Sequence, residues 1–147
     1  MSDPKIDLLR HLVATIVFRG NVAIRDSDDS FANFKLSDDV RTPVEILAHI
    51  GDLLEGSRLL LKGEMRMLNS QPFPWNDEIS RFLNAARELD SFLASESKFE
   101  IPIEKLVQGP IADALTHVGQ LVILRRAAGD PITSEPYFQA DIVAGRF

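Results

Sequence analysis

Four segments of this chain repeat apolar residues at spacings of three and four, and no run alternates long enough to make a strand. That periodicity restricts the fold to packed helices. In the first segment Asp3 supplies an N-cap and Pro4 suits the first helical position. Leu9, Leu12, Val13, Ile16 and Val17 then form one stripe, which predicts a helix over 4–24. The second begins at Thr42-Pro43-Val44-Glu45, a capping box, and its apolar stripe carries it to about Met67. The third runs from Trp75 to Ala94, after the break at Pro72 and Pro74. The fourth starts at Gly109-Pro110 and stops at Gly129, placed for a left-handed C-cap. A short helix is expected at 102–108 and one helical turn near 135–142. Residues 25–41 read as a long polar connection. The expected fold is all-α, a four-helix bundle in one domain over 1–147, with a long crossover connection.

Composition removes several kinds of function. With 16 Lys+Arg against 22 Asp+Glu the formal charge is −6, and no basic cluster offsets it locally. Nucleic acid is therefore not an expected partner. Cysteine is absent, which excludes disulfides, thiolate metal sites and a cysteine nucleophile. The longest apolar run, Leu12 to Phe18, is broken by Thr15 and is too short to span a membrane. A cytoplasmic protein is the expectation.

The chemistry then rests on three histidines. On the fourth helix Asp113, His117 and Gln120 share a stripe, since each residue advances about 100°. An acid and a histidine four residues apart can ligate one metal ion. The same pair also suits a histidine satisfied by its neighbour. His49 lies on the apolar face of the second helix among Ile46, Ile50 and Leu53, and Gly56 leaves open space beside it. Two inward histidines on different helices, one with an acid partner, point to a site. Gln120 could orient His117 or a bound water, or make a helix-to-helix hydrogen bond. Glu45 and Asp52, within a turn of His49, read as solvated charges. His11 faces away from its helix's stripe, and Thr15 and Arg19 sit at the stripe's edge.

The segment Thr42-Pro43-Val44-Glu45-Ile46-Leu47-Ala48-His49-Ile50-Gly51-Asp52-Leu53-Leu54, with the later Gly109-Pro110-Ile111-Ala112-Asp113-Ala114-Leu115-Thr116-His117-Val118-Gly119-Gln120-Leu121, resembles the DinB/YfiT-like metalloenzyme superfamily. The resemblance implies a four-helix bundle with a divalent metal held by His49, Asp113 and His117. Asp113 stands where many members carry a third histidine. A His/His/Asp set suits Zn or Ni, with Mn or Fe as further options. Members include thiol-dependent S-transferases, so the resemblance implies a metal-dependent S-transferase or hydrolase-type reaction, with a low-molecular-weight thiol as further cofactor. It also implies a homodimer, for which Phe18 is a candidate contact. The competing expectation is a non-catalytic dimeric bundle with a structural metal or none.

Overall fold

A computed structural model describes residues 2–147. Six α-helices are present among them: α1 (Pro4–Ile24), α2 (Asp29–Ala32), α3 (Pro43–Leu61), α4 (Trp75–Ser95), α5 (Ile103–Leu106) and α6 (Ala112–Ala127). No strand occurs in the described residues. The four long helices form the bundle.

Their directions follow from their contacts. Arg10 near the start of α1 binds Asp90 near the end of α4 through two hydrogen bonds of 2.9 Å, so these helices are antiparallel. Arg81 reaches the Ala48 carbonyl and Arg58 pairs with Glu88, so α3 and α4 run parallel. Lys5 pairs with Glu104, and Arg125 donates to the carbonyls of Ala23 and Arg25, so α1 and α6 run the same way. The bundle is therefore up–down–down–up. Helix α1 packs on α4 and α6, and α3 packs on the same two. The parallel α3–α4 pair requires a connection running back along the bundle. Residues 62–74 are that connection, a strap without regular structure.

Local chemistry explains most boundaries. The Asp3 carboxylate accepts from the Lys5 N–H at 2.9 Å, and Pro4 opens α1. At α3 the Glu45 carboxylate accepts from the Thr42 N–H at 2.7 Å and from its hydroxyl at 3.0 Å. Leu9, Val13, Ile16, Ile46, Ile50, Leu54, Phe82, Leu89 and Leu121 fill the centre, each at most 1% exposed. Each such side chain contributes about 1.5–3 kcal/mol on burial.

Two expectations are corrected. Helix α3 stops at Leu61, not Met67. Gly63 takes φ +82°, and Gly63 and Glu64 return their N–H groups to the carbonyls of Leu60 and Leu59, which closes the helix. Met65 and Met67, apolar but 84% and 99% exposed, belong to the strap. The polar connection 25–41 contains α2. Asp28 caps it by accepting from the Ser30 and Phe31 N–H groups, and buried Phe31 meets the Trp75 ring edge-on. Gly109-Pro110 does start a helix, as expected. The chain arrives from α5 through a widened turn over Val107–Ile111, in which the Ala112 N–H reaches the Val107 carbonyl five residues back. Gly109, at φ −102° and ψ −107°, kinks this turn out of helical geometry, and the helical path begins anew at Pro110, whose missing N–H costs nothing in a first turn.

The tail forms a single 3₁₀ turn at Tyr137–Gln139. Tyr137 meets Phe18 edge-on at 6.2 Å, and the Arg19 guanidinium lies 4.0 Å from the Tyr137 ring centre. Phe18 is thus half-buried by the protein's own tail rather than left as a bare apolar contact.

Candidate metal centre

Helices α3 and α6 pack antiparallel and bring His49, Asp113 and His117 to one place. One ligand atom from each lies within 4.8 Å of the other two. Asp113 stands between the rings. Its Oδ2 is 3.7 Å from His49 Nε2, and its Oδ1 is 3.4 Å from His117 Nε2. The two imidazoles meet edge-on with centroids 4.7 Å apart. Neither carboxylate contact is short enough for a good hydrogen bond.

Gln120 decides what these atoms are. Its Oε1 lies 2.7 Å from His117 Nδ1. An amide oxygen only accepts, so this contact makes Nδ1 the donor and turns Nε2 toward the Asp113 carboxylate. On His49, burial lowers the ring pKa below its ordinary value; His117 and Arg41 add to this, while Asp113 and Asp52 oppose it. Two imidazoles and a carboxylate thus converge with one ligand atom each within 4.8 Å, a set that could hold a metal ion. The spacing also fits: nitrogen and oxygen ligands about 2.1 Å from a tetrahedral Zn ion sit about 3.4 Å from one another.

Gln120 bonds within its own helix, so the helix-to-helix role is excluded, and its contact is with His117. His11 is exposed, and the Thr15 hydroxyl is spent on the His11 carbonyl at 2.9 Å. Both stand apart from the cluster. Asp52 is not a solvated charge. It is 5% exposed; its carboxylate accepts from the Ser70 N–H at 2.8 Å, the Ser70 hydroxyl at 2.7 Å and Arg81 at 3.1 Å. Arg81 also donates to the buried Glu78 carboxylate at 2.6 Å. This network pins the strap against α3, one turn from His49. Sequence reasoning missed it, although an acid three residues after an inward histidine shares its helix face.

A cavity of about 540 Å³ adjoins the cluster. Helix α3 lines it with His49, Leu53, Gly56 and Leu60. The strap contributes Met67 and Leu68, and the widened turn with the start of α6 contributes Gln108 to Asp113 without Ile111. His117 and Gln120 border a second, smaller cavity of about 280 Å³ with Arg41 and Ile46. Among the described residues no helix is long and apolar enough to cross a membrane. No family model, no curated protein and no solved structure matches the chain.

Proposed function

We propose that the protein is a divalent-metal-dependent enzyme of the DinB/YfiT-like kind, performing thiol-dependent S-transfer or a hydrolase-type reaction at His49, Asp113 and His117. The observation that carries this reading is the convergence of two imidazoles and a carboxylate, with one ligand atom from each within 4.8 Å of the other two. A divalent cation held there would supply Lewis acidity, lowering the pKa of a thiol or water enough to make it a nucleophile near neutral pH.

The chain's own residues prepare for that chemistry. Gln120 fixes the His117 tautomer and ring orientation, the usual task of a hydrogen-bond partner behind a ligand. Asp113 brings one negative charge, which favours a hard divalent ion over a soft monovalent one. Asp52 holds the strap beside the donors and so shapes the adjoining cavity. A purely structural ion needs no such space, and the cavity supports the enzyme reading over the non-catalytic bundle.

The test is elemental analysis of protein purified without chelators. One equivalent of a divalent metal is expected, lost in His49→Ala and in Asp113→Ala while both variants keep their helical circular dichroism. Metal content unchanged by either substitution refutes the assignment.

A further inference from the structure

We infer that the cavity beside the donors is a binding groove for an elongated amphipathic small molecule, its polar end at His49 and Asp113 and its apolar tail running toward Leu60 and Gln108. This rests on the reading of the donor cluster as the reactive end.

One end of the groove carries His49, Asp52 and Asp113. The rest of the lining is mainly apolar, with Leu53 and Leu60 on α3, Met67 and Leu68 on the strap and Pro110 at the widened turn; Arg66, Gln108 and Thr116 are the polar side chains that also border it. From His49 to Leu60 the helix rises about 16 Å. An extended chain covers about 3.5 Å per three bonds, so roughly fifteen linked atoms fill that length.

Two glycines keep the groove open. Gly56 lies in the middle of α3 and Gly109 in the widened turn opposite, and both line the cavity. A Cβ at either would meet nothing within 4 Å. Packing therefore does not demand glycine at 56, and glycine within a helix weakens it relative to alanine. What the missing side chain at 56 provides is space. The strap, held by Asp52 through Ser70, borders one side of the groove and the widened turn the other, and the groove stays open to solvent between them. A groove bordered on two sides and ending on candidate ligating groups suits a narrow molecule with a polar head.

The experiment uses the whole chain and the apolar dye N-phenyl-1-naphthylamine, read by fluorescence, with straight-chain 1-alkanols from butanol to tetradecanol as competitors. Wild type should bind the dye, and competitor affinity should rise by about fourfold per methylene until the groove is full. Gly56→Leu should weaken dye binding by about tenfold or more and move the plateau to shorter chains. Gly56→Ala, the smaller intrusion, should lie between, and circular dichroism checks that both variants fold. If the groove behaves as stated while metal content is absent or indifferent to Asp113, the metal reading falls and the groove stands. Dye binding or chain-length dependence unchanged in folded Gly56→Leu overturns the groove, whatever the metal content. Dye binding that disappears as the protein self-associates also overturns it, in favour of a second copy of the chain.

Discussion

Replacing Asp52 by alanine tests the link between the strap and the donor helix. Three hydrogen bonds to one buried carboxylate disappear together: two from Ser70 and one from Arg81. Breaking a buried ion pair by removing one partner costs about 3–5 kcal/mol when the survivor is left alone. Arg81 is not left alone. It keeps the Glu78 carboxylate at 2.6 Å and the Ala48 carbonyl. The loss is therefore dominated by the Ser70 contacts, and hydrogen bonds to a charged group are worth about 1.5–3 kcal/mol. Part returns as chain entropy when the strap is freed. A net cost of about 2–3 kcal/mol lowers the Tm of a domain this size by about 8–12 °C. Asp52→Asn keeps an acceptor for Ser70 and should cost about 1 kcal/mol. Thermal unfolding followed by circular dichroism measures both. Limited trypsin digestion supplies the second readout, because a released strap lets the backbone around the exposed Lys62 and Arg66 open into the protease under native conditions. A Tm shift of no more than about 2 °C in Asp52→Ala, with the strap still protected, refutes the latch.

Further outcomes follow from other contacts. A Cβ at Gly20 would stand 2.7 Å from Phe82 Cζ, and Phe82 is 1% exposed, so Gly20→Ala should destabilise by about 1–3 kcal/mol. Gly56→Ala, with open space, should instead stabilise by about 0.5–1 kcal/mol, and urea unfolding of the two variants gives the contrast directly. The Glu45 carboxyl is held below its ordinary 4.5, first by the Thr42 N–H and then by its hydroxyl. A depressed pKa contributes stability that is present above the unfolded value and is lost as pH falls through the folded one. Tm curves of wild type and Glu45→Gln should therefore differ at neutral pH and converge in acid; parallel curves would contradict the capping box. Gln120→Ala should leave the exposed surface of α6 folded yet weaken metal binding by about 10–100-fold, measured by competition with a chelating indicator.

Much of the fold is legible where boundary chemistry is local. Asp3-Pro4 and Thr42-Pro43 mark helix starts that need no tertiary information. The end of α3 misleads because Met65 and Met67 continue an apolar pattern without being buried; the left-handed Gly63 outweighs that pattern. Helix α2 hides in a polar stretch because its single buried anchor, Phe31, finds its partner Trp75 more than forty residues away. Gly109-Pro110 is legible as a helix start, because the residue before a proline is pushed out of helical geometry and Pro110 needs no N–H partner in a first turn. At the site, angular arithmetic on α6 pairs Asp113 with His117, and burial logic turns His49 inward. Periodicity cannot give the distance between helices, nor the burial of Asp52, whose partners lie 18 and 29 residues along the chain.

The up–down–down–up order also bears on how the molecule assembles. The main partners of α1 are α4 and α6, so Leu9, Val13 and Ile16 wait for residues from Trp75 onward before most of their native cover exists. Such delayed, long-range docking slows folding and leaves the nascent chain open to sticking for longer than in a bundle whose successive helices zip up in turn.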